Sequence, residues 1–481
     1  MHILDKSLDE IHEALKSGEV TSKELLEESL KRAHASQDEI NSFVTICDNA
    51  KVYDVEDNVL SGIPYACKDN LSTRGVLTTA SSNILNNYVP VFDATCIKKL
   101  KRNKAVMMGK TVMDELGMGG TGTTGHTGVV KNPWDTSRMT AGSSAGSAAA
   151  VSAGIVPYAL GTDTGDSIRK PAGYCGVVGF KPTYGLVSRF GLFAFASSLD
   201  HVGCLTRSVK DAAYVIDAIK GKDEADMTTF NSRNIQLVDN YTTDVKGKKL
   251  FYIKEIVEEL KNSPNKEYYE NFMKVVDYCK ECGMEIVSES IDEVILRSLY
   301  PSYMAISCAE ATSNNSNLTG IPFGNRQDGS TTEEIMFNTR TKGFSELIRR
   351  RFVIGSFILQ KENQEKLFLN AQRIRRLVVD KMTELYKKYD GCIVPNSESI
   401  APKFGEKNDA LSDTYLLFAE HLAISNFGGF PSITIPSGEV DGMPVAVNIS
   451  GPIKHDSDVI NMAAALEEKI GFIPLNMRGD K

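Results

Sequence analysis

The sequence lacks any apolar run of about 18 residues, the length that a membrane-spanning helix requires. Its first twenty residues, MHILDKSLDEIHEALKSGEV, carry charge in every turn and lack the basic and then apolar segments of a secretory signal. Nine cysteines, an odd number, are scattered through a long chain, which is typical of reduced thiols. These features predict a cytoplasmic protein without disulfide bonds, and no residue pattern implies a metal.

The sequence also lacks an excess of positive charge. Its formal net charge is −8 and its pI is about 5.6, so the chain is not expected to bind nucleic acid by itself. Any role on a nucleic acid would need a partner. With 42% hydrophobic and 24% charged residues, the composition is that of an ordinary globular protein.

Two capping boxes occur near the N-terminus. Ser7 with Glu10 and Thr21 with Glu24 each predict the start of a helix, because each serine or threonine and the glutamate three residues later can satisfy two free N–H groups. We interpret residues 1–58 as a helical arm.

From about residue 60, short apolar runs such as IPYAC, KAVMMG and IVPYAL alternate with helical segments and glycine-rich connections. This alternation predicts an α/β fold. Further strands are predicted at KLFYI, MEIVSE, GCIVPN, PSITIP and MPVAVNIS, and a helix is predicted near 458–469. No clean linker interrupts the pattern, so we expect one large domain over residues 59–475, with its catalytic core at about 60–220.

Three motifs are weak. The glycine-dense segment GMGGTGTTGHTG fits GxGxxG twice, but no clear helix or framing βαβ unit supports dinucleotide binding. Cys279 and Cys282 form a lone CxxC without a second pair of metal ligands. The segment GSSAG fits a nucleophile elbow centred on Ser144, yet a loop precedes it where the apolar strand of an α/β-hydrolase should stand.

Lys68 and Ser167 carry a stronger chemical signal. Lys68 follows the apolar run IPYAC, so we expect it at a strand end where desolvation lowers its pKa and makes it a general base. Strand alternation should turn Asp69 to the opposite face. In DTGDSIRKPAG, a glycine turn before a helix would aim free N–H groups at one point, an arrangement that suits an oxyanion. From the turn alone, a helix cap explains Ser167 equally well.

The wider sequence resembles the amidase signature family. The resemblance lies in GIPYACKDN, KNPWDTSRMTAGSSAGSAAAVSAG, GTDTGDSIRKPAGYCGVVGFKPTYGLVSRFG and FASSLDHVGCLTRSVKDA. More narrowly, ISCAEATSN, FSELIRRRFVIGSF and NFGGFPSITIPSG are similar to the A subunits of glutamyl-tRNA(Gln) amidotransferases within that family. The likeness runs from about residue 7 to 470, and it implies a mixed β-sheet sandwiched between helices.

The resemblance also implies a catalytic triad. Family members use a lysine, a serine in a cis peptide and a nucleophilic serine 24 positions later, which here selects Lys68, Ser143 and Ser167. Ser144 is then left as a helix cap or a hydrogen-bonding support. The backbone amides that would form the oxyanion hole belong to one turn: Thr164, Gly165, Asp166 and Ser167.

A substrate and partners follow from the same resemblance. Glutamine would form a glutamyl-Ser167 ester, and the released ammonia would pass to the B subunit of the amidotransferase, where ATP and Mg²⁺ activate the misacylated tRNA. A small C subunit would wrap the interface. Arg351 is expected to bind the substrate carboxylate, with Tyr303 as a pocket wall; a solvated helix face is the alternative interpretation of the arginines at 349–351.

The sequence departs from the family pattern at several positions. Asp166 replaces a glycine beside the nucleophile, where a carboxylate would oppose an oxyanion unless it turns toward Arg169 or Lys170. Ala141 and Ala145 also replace glycines. The acidic residue that would bind the substrate ammonium falls on Ala419, one position before Glu420. A free-standing amidase and a non-catalytic scaffold protein therefore remain alternative hypotheses.

Overall fold

Parallel and antiparallel strands are combined in one large sheet. The structure is a computed structural model that describes residues 2–406 and 418–477. Within those residues the strands are β1 (Phe43–Ile46), β2 (Pro64–Lys68), β3 (Val106–Thr111), β4 (Lys131–Asn132), β5 (Asp135–Met139), β6 (Tyr158–Asp163), β7 (Val178–Lys181), β8 (His201–Thr206), β9 (Lys249–Ile253), β10 (Glu285–Glu289), β11 (Gly391–Pro395), β12 (Ser432–Val440) and β13 (Met443–Ser450). Eleven of these form the main sheet in the order β1-β3-β2-β6-β8-β7-β12-β13-β11-β9-β10, and β4 pairs with β5 separately.

Helices cover both faces of this sheet. They are α1 (Leu8–Ser17), α2 (Ser22–Ile40), α3 (Thr95–Arg102), α4 (Ala145–Ser152), α5 (Arg169–Cys175), α6 (Val209–Ile219), α7 (Lys254–Asn262), α8 (Lys266–Glu281), α9 (Glu293–Arg297), α10 (Leu299–Asn314), α11 (Thr332–Gly343), α12 (Glu346–Leu359), α13 (Lys361–Asn363), α14 (Asn370–Leu385), α15 (Ile424–Gly428) and α16 (Asp456–Ile470). A π-helical segment, Gln364–Leu369, joins α13 to α14. Short 3-10 turns occur at Ile3–Asp5, Asn83–Leu85, Glu115–Gly117, His421–Ala423 and Leu475–Met477.

Strand alternation divides the core into two layers. On β2, Tyr65 and Cys67 join a large cluster with α3, α6, α8 and α16, whereas Ala66 between them joins a second cluster with α2, α4 and α5. All three side chains are completely buried. The predicted α/β fold with a mixed sheet between helices is therefore confirmed.

The N-terminal segment is part of this sandwich. Both predicted capping boxes form, at Ser7 and Thr21, and the first helix ends at Gly18 with a positive φ of 77°. Residues 1–58, predicted to be a helical arm, also contain β1, which pairs antiparallel with β3 at the sheet edge. Four residues, FVTI, are too short a run to show strand periodicity in the sequence.

Most predicted strands occur close to their expected positions. The runs at KLFYI and MPVAVNIS coincide with β9 and β13, and the run IPYAC is extended by one residue, Lys68, which ends β2 as expected. Strands β7 and β8 were not predicted, because their short runs VGFK and HVGCLT contain glycine and polar residues and show neither regular alternation nor a continuous apolar stretch. Within the predicted domain 59–475, residues 407–417 lie outside the described part of the chain.

Candidate active site

The candidate site lies where two parallel strands end. Strands β2 and β6 are parallel neighbours, so Lys68 at the end of β2 and the turn that follows Asp163 meet at the same edge of the sheet. Lys68 is completely buried. Its Nζ lies 2.8 Å from Ser143 Oγ, 2.8 Å from Ser144 Oγ and 3.1 Å from the Thr162 carbonyl oxygen.

Burial controls the protonation of this lysine. Desolvation lowers the pKa of Lys68 to about 7, although the charges of Asp163 and Asp114 oppose that shift. Asp69 accepts hydrogen bonds from the N–H groups of Thr79 and Ser81 instead of sharing the site. Lys68 is therefore a group that can exchange a proton near neutral pH.

The two neighbouring serines differ in their hydrogen bonds. Ser144 stands just before α4, but its side chain does not cap the helix; its hydroxyl donates to the Thr162 carbonyl at 3.1 Å and accepts from the Thr162 N–H at 3.3 Å. Ser143, which follows a cis peptide bond from Gly142, has Lys68 as its one hydroxyl partner among the described residues.

Ser167 lies on the turn between β6 and α5. Its carbonyl oxygen accepts the Ser144 N–H at 3.1 Å, so this turn is joined directly to the serine segment. Ser167 is 6% exposed and lines a cavity at this edge, and its hydroxyl has no hydrogen-bond partner in residues 2–406 and 418–477. Over the same ranges, the backbone N–H groups of residues 164–167 also donate to no protein acceptor.

A buried ion pair supports the turn that carries Ser167. Arg169 and Asp163 are both completely buried and joined by two hydrogen bonds of 3.1 and 3.0 Å. Arg169 also donates to the Gly165 carbonyl at 2.6 Å and to Asn426 Oδ1 at 2.7 Å. Burial alone would raise the pKa of Asp163, but the charge and hydrogen bonds of Arg169 hold it well below its usual range.

A cavity of about 430 Å³ opens in front of Ser167. Tyr303 and Arg351, the two predicted substrate-binding residues, both line it. Arg351 lies over the ring of Phe195, 5.7 Å from its centroid, and its Nε and Nη1 are buried without a hydrogen-bond partner among the described residues. Arg351 therefore faces the cavity rather than solvent.

Two acidic residues that line the cavity, Asp166 and Glu420, lie at or beside positions where the sequence departs from the family pattern. Asp166 is 3.9 Å from Lys170, whereas Arg169 is occupied by Asp163, so only one of the two expected partners is near Asp166. Ala419 and Glu420 both line the cavity, and Glu420 Oε2 is buried with no hydrogen-bond partner in the described ranges. A carboxylate is therefore present on this wall, supplied by position 420.

The glycine-dense segment has a structural role that the sequence did not reveal. The carboxylate of Asp114 accepts hydrogen bonds from five consecutive backbone N–H groups, at distances of 2.8–3.2 Å, and from one side-chain hydroxyl: Gly120, Thr121, Gly122, Thr123 and Thr124, the last also through Oγ1. A carboxylate of the protein thus fills the nest of N–H groups in which a phosphate would otherwise bind. Gly119, Gly120 and Thr121 form one wall of the cavity.

The remaining motifs are structural. Cys279 is buried in the core, Cys282 contacts the Ala465 carbonyl, and all nine cysteines are free. Across residues 2–406 and 418–477, no group of three or more His, Cys, Asp and Glu could hold a metal ion. No helix in the same part of the chain is both long and apolar enough to cross a membrane.

Comparisons with known proteins identify the family of this chain. The family model described as Amidase matches residues 24–460. The chain is 39% identical to the A subunit of the glutamyl-tRNA(Gln) amidotransferase of Streptococcus uberis, over 97% of this chain and 96% of the relative. The crystal structure of the corresponding protein from Thermotoga maritima is 36% identical and superposes with a TM-score of 0.82, covering 99% of this chain and 97% of that one. A crystal structure described as an amidase is 27% identical, with a TM-score of 0.79 over 96% of this chain and 100% of its own.

Proposed function

The chain belongs to the amidase family, and on that premise we propose that it is the A subunit of a glutamyl-tRNA(Gln) amidotransferase, which hydrolyses glutamine and supplies the ammonia. The family membership rests on the match over residues 24–460 and on relatives that are similar over nearly their whole length. The proposal for the reaction rests on the hydrogen bonds of Lys68.

A neutral lysine has two N–H donors and one lone pair, and the three partners of Lys68 account for all of them. The hydroxyl proton of Ser144 is directed at the Thr162 carbonyl, so Ser144 can only accept from Lys68. The Thr162 carbonyl is an acceptor as well. The lone pair of Lys68 is left for the hydroxyl proton of Ser143, which makes Ser143 rather than Ser144 the relay.

The reaction then runs through two hydroxyl groups. Lys68 takes the proton of Ser143. The Ser167 hydroxyl, which is not hydrogen-bonded to Ser143 in this structure, must turn to give its proton to Ser143, and Ser167 Oγ then attacks the carboxamide carbon of glutamine. Backbone N–H groups of Thr164, Gly165, Asp166 and Ser167 stabilise the oxyanion. The C–N bond breaks as the proton returns through Ser143 to the leaving nitrogen, so ammonia departs from glutamyl-Ser167. Water, activated by the same relay, then releases glutamate and restores the hydroxyl.

Glutamine would be held by Arg351 and Tyr303, which line the same cavity as Ser167. The Nε and Nη1 groups of Arg351, buried and unpaired among the described residues, suit the planar carboxylate of an amino acid. Tyr303, 6% exposed, packs beside the turn, where a Cβ on Gly165 would lie 2.9 Å from its ring. Tyr303 therefore limits the width of the pocket.

The tRNA-dependent steps belong to the partner proteins, the B and C subunits of the amidotransferase. ATP and Mg²⁺ would act in the B subunit, because the glycine-rich loop of this chain is filled by the Asp114 carboxylate. A net charge of −8 likewise favours binding of misacylated tRNA mainly by the partner. Such a heterotrimeric complex would work in protein biosynthesis, which places it in the cytoplasm.

Glutaminase assays test this proposal. We expect the complex with the B and C subunits to release ammonia from glutamine, and to convert Glu-tRNA(Gln) to Gln-tRNA(Gln) when ATP is present. Hydrolysis of other small amides by the chain alone, without glutaminase activity in the complex, would instead identify a free-standing amidase. Amidation that uses free ammonia but never glutamine would identify a scaffold protein.

A further inference from the structure

Asp200 is a buried carboxylate that the proposed reaction does not use, yet it contacts two parts of the candidate active site. The residue is 2% exposed. Its Oδ1 accepts the hydroxyl of Thr164, at the start of the turn 164–167, at 2.7 Å. The same oxygen accepts the Ala196 N–H at 3.2 Å, and Oδ2 accepts the Phe195 N–H at 3.0 Å. One carboxylate therefore joins the turn that carries Ser167 to the loop that carries Phe195.

Phe195 in turn contacts both proposed substrate-binding residues. The guanidinium carbon of Arg351 lies over its ring, 5.7 Å from the centroid. The ring of Tyr303 meets it edge-on, with 6.5 Å between the two centroids. An aromatic face attracts a cation and restricts where the cation lies. The position of Arg351 relative to the turn 164–167 therefore depends on the Asp200 carboxylate.

The Phe195 loop is also bound to α10, the helix that carries Tyr303. Asn314 Nδ2 donates to the Phe195 carbonyl at 3.1 Å, and the Ser198 N–H donates to Glu310 Oε2 at 2.9 Å. Both Asn314 and Glu310 belong to α10. The loop and this helix thus form one unit, and Asp200 connects that unit directly to the turn 164–167.

The charge of Asp200 suits this connection. Burial raises the pKa of Asp200 to about 6, and the hydrogen bond from Thr164 opposes that shift. At neutral pH the carboxylate is therefore mainly ionised and can only accept hydrogen bonds. The groups that face its oxygens from the turn and the loop are three donors, one hydroxyl and two backbone N–H groups.

We propose that Asp200 is a positioning residue for glutamine hydrolysis, which sets the separation between the turn 164–167 and the Arg351 side chain. This inference rests on the proposed function, in which Arg351 binds the carboxylate of glutamine and the turn receives its carboxamide. Glutamine must reach both groups at once, so their separation decides how well the carboxamide carbon lies at Ser167 Oγ. A misplacement of about 1 Å can cost about 100-fold in rate.

Kinetics of glutamine hydrolysis in the complex with the B and C subunits test this role. Asp200→Asn retains the size of the side chain, but its NH2 group must face the N–H of either Phe195 or Ala196. We expect this variant to lower kcat and to raise KM, each by about tenfold or more.

Asp456→Asn is the matched control. Asp456 is completely buried and likewise accepts one hydroxyl and one backbone N–H, both from Thr183. Neither Asp456 nor Thr183 is among the described residues that line the cavity. The control should lower the melting temperature about as much as Asp200→Asn does, but it should leave kcat and KM unchanged.

Further substitutions separate the two ends of the connection. Thr164→Val removes the hydroxyl bonded to Asp200 and should chiefly lower kcat, whereas Thr164→Ser keeps the hydroxyl and should keep kcat. Phe195→Leu removes the aromatic face and should chiefly raise KM. Because Asp200 acts on kcat through Thr164, Asp200→Asn should lower kcat much less in the Thr164→Val background than in the wild type. The two Thr164 variants test the connection even if Asp200→Asn does not fold.

Three results would overturn the inference. They are unchanged kcat and KM in Asp200→Asn, equal kcat values in Thr164→Val and Thr164→Ser, and equal kinetic losses in Asp200→Asn and Asp456→Asn. Each of them leaves the glutaminase proposal intact, because the wild type still hydrolyses glutamine. A wild-type complex without glutaminase activity would overturn both.

Discussion

The guanidinium group of Arg169 holds both carboxylate oxygens of Asp163 in a completely buried ion pair directly beneath the turn that carries Ser167. The same guanidinium binds the Gly165 carbonyl, so the N–H groups on the other side of that turn face the cavity. A charged pair inside the core thus fixes the direction of backbone donors at its surface.

Breaking this pair should damage both stability and catalysis. Arg169→Met leaves the Asp163 charge buried and unpaired, which typically costs about 3–5 kcal/mol. We expect the free energy of unfolding in urea to fall by that order. The exposed pair of Arg376 and Asp380 offers a matched control, because Arg376→Met should change it by less than about 1 kcal/mol. An equally small change at Arg169 would show that the ion pair does not stabilise the turn.

Replacing the proposed nucleophile should separate the two half-reactions. Ser167→Ala should reduce glutamine hydrolysis by roughly 10³-fold or more, because no covalent ester can form. Amidation of Glu-tRNA(Gln) by the complex with added ammonium chloride should persist, since that step needs no acyl-enzyme in this chain. Ammonia release and Gln-tRNA formation, measured in parallel, check both halves. Normal glutaminase activity in this variant would mean that another residue is the nucleophile.

The two serines beside Lys68 should respond differently. Ser143→Ala removes the relay and should lower kcat/KM for glutamine by about 10²-fold or more. Ser144→Ala removes the hydroxyl that accepts from the Thr162 N–H and one of the two donors to the Thr162 carbonyl, and should chiefly lower stability, by about 1–3 kcal/mol. Kinetics and thermal melting of both variants provide the comparison. The reverse pattern would assign the relay to Ser144.

The pH dependence of the reaction should report Lys68. Because burial lowers the pKa of Lys68 to about 7, the neutral base is lost as pH falls below that value. We expect kcat/KM for glutamine to rise with pH through an apparent pKa near 7 and then level off. The profile should be measured from about pH 5.5 to about pH 9. Steps of about 0.5 pH units are small enough to resolve a single titration. A flat profile would exclude Lys68 as the base, provided that Lys68→Met is inactive.

The glycine-rich wall of the cavity should depend on Asp114. Asp114→Asn replaces one acceptor oxygen by a donor, so several N–H groups of residues 120–124 lose their partner. We expect a loss of about 1–3 kcal/mol in stability and a higher KM for glutamine. Hydrogen exchange of residues 119–124 should become faster. Asp135→Asn, at the start of β5, also changes a carboxylate that accepts a backbone N–H; it is the control and should leave KM unchanged.

Features that depend on adjacent residues in the sequence, such as a buried base at a strand end or a helix cap, could be predicted. An apolar run that ends in lysine predicted a buried base at a strand end, and the structure places Lys68 there. The capping boxes of the first two helices were predictable for the same reason. The catalytic roles of Ser143 and Ser167 came from the family resemblance, and they remain a proposal supported by the geometry.

Contacts between residues that are not immediate neighbours in the sequence could not be predicted from it. Asp114 fills a nest formed by residues 120–124, and Glu420 meets the Gly165 turn across more than 250 positions of the chain. Neither contact has a local signature, since a carboxylate beside a turn looks the same whether it points to solvent or into a cavity. The glycine spacing at 117–125 therefore resembled a nucleotide motif, although its N–H groups bind a side chain.

The pairing of β1 with β3 gives the first 58 residues a protective function. Without them, β3 would become the border of the sheet and would present its unsatisfied N–H and C=O groups to other molecules. Proteins that lack these residues should therefore self-associate even though every residue around Lys68 is retained.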